Sequence, residues 1–323
     1  MTITRRTALA GLAATTLAGV AHAESWPEKP ITWILPNAPG GPIDAFARPV
    51  AEHCAEALGQ PVIIDNRSGA GGTIAWAAAA RAAPDGYTMT IGATGITYAP
   101  LIYPGATFDV ARDFEPIAAL ARIQQVLAVN PQRIAANSLK QFIDYARSDP
   151  GAIDIGSPGL GTVPHLAIEM LQGRAGIKLH HVPYRNGSQM LQDLLSGQIA
   201  AMFGSVGSLA PYVRQGKLRV LGVAGRRREP QLPDIPTMDE AGLKDFRAIS
   251  WFALFAPKQT PVAILDRAHK AVQKALGAAN VKQIWQEQGA RVELESRAEF
   301  SRFVTQEIVR WTAIAKAANV QLE

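Results

Sequence analysis

Short apolar runs alternate with longer stretches of helical spacing along most of this 323-residue chain. The runs predict strands at 31–36, 62–66, 88–93, 127–130, 153–157, 179–184, 199–203, 219–224 and 251–256. Helices with legible ends lie between them. Ser138 is expected to cap a helix carrying Leu139, Phe142, Ile143 and Ala146, which stops before Pro150 and Gly151. Ser188 is expected to cap another with Leu191, Leu194 and Leu195, ended by Gly197. Ser208 is expected to begin a third with Leu209, Tyr212 and Val213, ended by Gly216. Such alternation implies an α/β fold with mainly parallel sheets flanked by helices.

Two sheets account for the pattern better than one. The chain changes character near 120–127 and again near 225–251, where Pro230, Pro233 and Pro236 mark an extended connector. The C-terminal stretch is strongly helical, with Ile264, Ala268, Ala271, Val272 and Leu276 on one stripe, and is expected to return to the first sheet. The expectation is two α/β lobes, 24–124 with 251–323 and then 125–250, joined by two crossing segments, with ligand between the strand ends.

Glycine-rich loops sit where such a ligand would lie. The first strand runs into Asn37-Ala38-Pro39-Gly40-Gly41-Pro42-Ile43-Asp44 and then a helix. Glycine lets backbone N–H groups approach a ligand, and the helix start adds unpaired donors and partial positive charge. That combination favours an anion. Comparable loops follow the second strand (Gly69-Ala70-Gly71-Gly72) and the third (Gly92-Ala93-Thr94-Gly95). The second lobe repeats the design at 157–165, 184–188 and 203–208.

The N-terminus adds a compartment. Arg5 and Arg6 precede an uncharged run and then Ala21-His22-Ala23, the layout of a cleavable signal over 1–23. It loosely resembles a twin-arginine signal without the usual aromatic residue, so both export routes stay open. A soluble periplasmic protein is expected. The single cysteine, Cys54, excludes an intrachain disulfide framework and falls on an apolar helix stripe. The formal net charge of +5 is mild, and Arg226-Arg227-Arg228 has no interleaved aromatics, so nucleic acid is not expected as a partner.

Enzyme motifs are missing. The first loop does not match G-x-G-x-x-G, and neither a P-loop nor a G-x-S-x-G elbow occurs. His53, His165, His180, His181 and His269 fall in no metal-binding motif, so neither metal nor cofactor is expected. Of these, His165 is best placed to meet a ligand, one turn into the helix after the Gly159–Gly161 loop.

Ordered blocks carry a family resemblance. They include Trp26-Pro27-Glu28-Lys29-Pro30, Pro39-Gly40-Gly41 followed by Asp44, and Gly59-Gln60-Pro61-Val62. Further on come Asn66-Arg67, Ala83-Pro84-Asp85-Gly86-Tyr87, Asp113-Phe114 and His181-Val182-Pro183-Tyr184. Leu232-Pro233-Asp234-Ile235-Pro236-Thr237 and Trp251-Phe252-Ala253-Leu254-Phe255-Ala256-Pro257 complete the set. Nearly the whole mature chain resembles the substrate-binding proteins of tripartite tricarboxylate transporters, the TctC or Bug receptors. The resemblance implies a two-lobed Venus-flytrap receptor, taken here as a monomer, that binds a small carboxylate and delivers it to one large and one small permease subunit. It places the carboxylate on Asn37, Ala38, Gly41, Pro42, Ile43 and Asp44, with Ala93 and Thr94. The far end would meet Gly159, Gly161, Thr162 and His165, with Arg185, Gly204 and Ser205 nearby. Phe203-Gly204-Ser205 departs from relatives that carry an acid or amide there, which argues against an amino group on the ligand. A sensor feeding a signalling partner, and a periplasmic hydrolase, are the rival readings.

Overall fold

The computed structural model describes residues 26–185 and 187–320, so the expected signal segment lies outside the described residues. Nine strands are described: β1 (Ile31–Leu35), β2 (Val62–Asn66), β3 (Thr88–Ala93), β4 (Phe114–Val129), β5 (Asp154–Ser157), β6 (His180–Pro183), β7 (Ala201–Ser205), β8 (Arg219–Ala224) and β9 (Ile249–Pro257). They run in the order β2-β1-β3-β9-β4-β7-β5-β6, with β8 also on β4. The helices are α1 (Pro42–Leu58), α2 (Thr73–Ala80), the short α3 (Ala99–Ile102) and α4 (Val110–Asp113), then α5 (Leu139–Ser148), α6 (Val163–Ala175), α7 (Gly187–Ser196) and α8 (Val206–Arg214). Three more close the chain: α9 (Val262–Leu276), α10 (Ala279–Glu287) and α11 (Arg297–Ala318).

One strand serves both lobes. Residues 114–124 of β4 pair with β9, whereas Gln125 to Val129 pair with β7 and β8. Only the far end of this strand, 127–130, carries a legible signal. The rest contains Pro116 and three alanines and is buried on both faces, so it shows no alternation of apolar and polar residues. Each lobe's sheet is mixed rather than mainly parallel. The outer pairings β1–β2, β1–β3, β5–β6 and β5–β7 are parallel. Those around the crossing, β3–β9, β4–β9, β4–β7 and β4–β8, are antiparallel. A strand that leaves one lobe and a strand that returns must run in opposite directions, which sets this arrangement.

Local caps follow the residue chemistry with two shifts. Ser138 caps α5, its side chain accepting from the Gln141 N–H at 3.2 Å. Ser205, not Ser208, caps α8, because β7 runs on to Ser205 and the chain turns there at once. α7 already begins at Gly187, which puts Ser188 inside the first turn.

Four apolar clusters fill the space. α1, α9 and α10 cover one face of the first sheet, burying Trp33, Phe46, Val50, Leu265 and Trp285. Cys54 is buried among them, and burial pushes its thiol up to about 12, so it is inert at neutral pH. α11 is shared between lobes: Phe300 and Val304 pack with Trp76 and Trp251, while Trp311 and Ala315 pack with Phe142 and Leu166. At its centre the buried Glu307 accepts from the indole N–H of Trp251 at 3.0 Å and of Trp311 at 2.8 Å. Glu307→Ala leaves both donors unpaired and should cost about 2–4 kcal/mol. A urea titration is the measurement, and an unchanged midpoint would remove Glu307 from the joint between α11 and β9.

Candidate functional site

A cleft opens at the carboxyl ends of β1 and β3, facing the start of α6 in the other lobe. It encloses about 300 Å³. The β1 loop turns at Gly40, whose φ of +76° suits glycine, and reaches Gly41 with its N–H on the Ala38 carbonyl at 3.2 Å. A Cβ on Gly41 would meet the Asn37 side-chain amide, so a larger residue there displaces that amide. Pro42 opens α1 at a position where its missing N–H costs nothing, and no side chain caps this helix. The first-turn donors at Ile43 and Asp44 are therefore not taken by a cap, and Ile43 lines the cleft.

Asp44 holds this loop from beneath. It is buried and accepts from the Gly40 N–H at 3.0 Å, Arg48 Nε at 2.7 Å and Asn66 Nδ2 at 3.0 Å. Asn66 also donates to the Asn37 carbonyl at 3.0 Å. Burial works to raise the Asp44 pKa, but the bonds from Arg48, Gly40 and Asn66, with the charge of Arg48, outweigh it and hold the carboxyl below its usual range.

The facing wall belongs to the loop before α6. Thr162 caps that helix, and its hydroxyl donates to the Gly159 carbonyl at 2.8 Å. Gly161 donates its N–H to Nδ1 of His165 at 3.0 Å, which fixes that nitrogen as unprotonated. The His165 ring stacks on His181 with centroids 4.2 Å apart. His181 bonds through Nε2 to the Ser157 hydroxyl at 2.7 Å, and that hydroxyl also lies 3.1 Å from the Gly159 carbonyl as its donor. Burial, and then the charge of His181, push His165 down to about 4. His181 is lowered too, by burial first and then by His180. The pair is thus a neutral brace under the loop at neutral pH. One bond spans the cleft: Tyr98 Oη donates to the Gly161 carbonyl at 2.9 Å.

Of the residues marked from sequence, Asn37, Pro42, Ile43, Ala93, Thr94, Gly161 and Thr162 line this cleft together. Thr94 turns its hydroxyl inward, where it accepts from the Trp251 N–H at 2.8 Å. Gly41 and Asp44 support the loop, Ala38 is exposed, and Gly159 and His165 brace the far wall. Arg185 is exposed and outside the lining. Gly204 is buried in β7 against Leu209, and Ser205 is occupied as the α8 cap. Sequence reasoning missed the aromatic walls, Trp76, Tyr98, Tyr103 and Phe252, and also Ser250. Glycine loops signal donors, whereas an apolar cleft residue reads like a core residue. No charged side chain lines the cleft among the described residues.

Comparison with known proteins places this geometry. The family model described as "Tripartite tricarboxylate transporter family receptor" (TctC) matches residues 46–320. The chain belongs to this receptor family. BugT of Bordetella pertussis is 32% identical over 331 residues, covering 100% of both chains. The solved structure of Rpa4515 from R. palustris with adipate is similar at 34% identity and a TM-score of 0.79, over 92% of this chain and 100% of that one. MatC (Rpa3494) from Rhodopseudomonas palustris with bound malate is similar at 32% identity and a TM-score of 0.76, over 90% and 99%. The loop from Asn37 to Asp44 precedes the segment matched by the TctC model but lies within the match to BugT.

The histidine brace of this TctC receptor has a pH consequence. The folded His165 pKa lies below the ordinary 6.5, so the unfolded chain takes up the proton first as pH falls. Stability from the neutral pair is complete above about 6.5 and is lost as pH falls towards about 4. Urea midpoints across that window should decline, and His165→Asn should decline less steeply. Parallel curves for the two proteins would exclude His165 as the titrating brace.

Proposed function

We propose that this chain is a periplasmic solute receptor that takes a small carboxylate with a largely apolar body into its cleft. It delivers that solute to a tripartite-type transporter of one large and one small permease subunit. Within this reading one lobe comprises 24–124 and 251–323 and the other 125–250, and the protein acts as a monomer by binding and closure, without catalysis.

The observation that carries the reading is the pairing of an uncapped helix start with neutral, aromatic walls. Ile43 and Asp44 offer backbone donors, and the helix dipole favours the carboxylate. Trp76, Tyr103, Phe252 and Leu160 then enclose an apolar body, and no lining side chain offers a charge to an ammonium group. Adipate with Rpa4515 and malate with MatC supply the ligand class among relatives. Ligand touching both walls favours the closed form by its higher affinity for that form, and a permease can select it. No helix among the described residues is long and apolar enough to cross a membrane.

Adipate at about 100-fold above its Kd should stabilise the protein by about 2.7 kcal/mol. Gly41→Asp should abolish that effect, because it fills the loop and sets a negative charge where the carboxylate sits. A thermal-shift panel in which sugars or amines stabilise the chain and organic acids do not would reject the reading.

A further inference from the structure

A second cavity, of about 450 Å³, lies against the other face of the crossing strands. Arg122 and Gln124 of β4 sit opposite Trp251 and Ile249 of β9. Arg122, Gln124 and Ile249 line this second cavity, whereas Ser250 and Phe252 line the cleft. Successive side chains of a strand project to opposite faces, so the two cavities flank one ribbon from opposite sides.

Both lobes contribute its walls. Arg226 and Arg227 follow β8 and Arg247 precedes β9, while Arg291 and Arg310 come from the C-terminal region. With Arg122 that makes six arginines against three lining carboxylates, Glu293, Glu295 and Glu307. Arg227 reaches Glu293, Arg310 reaches Glu307, and Arg291 and Arg247 hold Glu229 and Asp245 beyond the lining, yet some donors are left over. Arg122 is 8% exposed, sits over the Phe303 ring at 4.0 Å and gives its terminal nitrogens to Glu293 and Glu295, yet its Nε has no partner. Nε of Arg247 is also buried without a partner. Burial acts against the charge of Arg310, and Glu307 does not fully offset it. A desolvated guanidinium N–H left without an acceptor is costly, and a planar donor fork matches an oxyanion edge.

We propose that this cavity is a second binding site, for a small multivalent oxyanion of the phosphate or pyrophosphate class, held between the two lobes behind the crossing strands. The anion supplies acceptors to the guanidinium donors left over from these pairs and joins Arg226 and Arg227 to Arg122 and Arg291. A rotation that narrows the cleft separates the groups on the opposite face of the ribbon. The bound anion therefore opposes closure and weakens ligand binding in front. That coupling rests on the cleft reading above; the site itself does not.

The test is calorimetric titration of the mature protein with inorganic phosphate and pyrophosphate at constant ionic strength. Saturable binding is expected, and the double variant Arg226→Ala/Arg227→Ala should weaken it by about tenfold or more. Arg228→Ala, which removes a side chain paired with Glu240 outside the cavity, should bind like the wild type. Hydrogen exchange should slow at 226–229 and 291–295 on binding. Absence of saturable binding, equal binding by the double variant, or protection confined to the cleft loops would each overturn the site. Pyrophosphate should also lower adipate affinity. Pyrophosphate binding by a chain that ignores adipate supports this site while rejecting the cleft reading, and unchanged adipate affinity rejects the coupling.

Discussion

The whole arrangement depends on β4 being one strand with two sets of partners. Hydrogen bonds to β9 fix its first part, and bonds to β7 and β8 fix its last part. Backbone groups in a buried strand must be paired, so neither lobe can leave this ribbon without opening a ladder. Rotation is left as the accessible motion, about the point where Gln125 donates its N–H to the Ala248 carbonyl at 2.9 Å. α11 lies along both lobes and ties that rotation to the packing of Trp251 and Trp311 on Glu307.

On the proposed reading, the cleft takes an anion without placing a charge in it. Ion pairing inside a small cavity would demand desolvation of a lysine or arginine before the ligand arrives. Backbone donors at a helix start carry no such penalty, because the helix already orients them. The charged groups are displaced one layer outward. Arg48 pairs with Asp44 under the loop, and the imidazoles of His165 and His181 are held neutral under the facing one. Rigidity of the two loops is therefore an electrostatic matter, while affinity for the body of the solute is a matter of aromatic area.

Much of this was legible in the sequence where local rules decide the outcome. The strands at Val62–Asn66, Thr88–Ala93 and Arg219–Ala224, and the cap at Ser138, follow from apolar runs and hydroxyl placement. The glycine loops mark one edge of the cleft because Gly40 turns the chain at a positive φ and brings Gly41 up to Asn37. What the residues hide is anything settled by tertiary partners. Phe114 to Val126 carry no strand period, since both faces are covered. His165 reads in sequence as placed to meet a ligand, but stacking on His181 turns it into a brace. Trp76, Tyr98 and Phe252 come from separate segments and meet only in the folded chain.

The face of the ribbon away from the cleft must also set how easily the cleft closes. Any rotation that tightens one side strains the contacts on the other. Here those contacts are polar and cross between the lobes. Arg291 donates to the Arg228 carbonyl at 3.0 Å and to Glu229 at 3.2 Å, Gln231 donates to the Gln286 carbonyl at 2.7 Å, and Gln124 reaches the Arg227 carbonyl at 3.1 Å. Gly207 lies so close to Gln288 that a side chain there would collide with its backbone. Such an interface is stiff in compression and yields in separation, because short polar bonds lengthen at modest cost when water can replace them. On the proposed reading, the solute's affinity for the closed form is a difference between what the aromatic walls gain and what this rear interface loses. A residue far from the solute, such as Arg291, acts on binding through that second quantity alone.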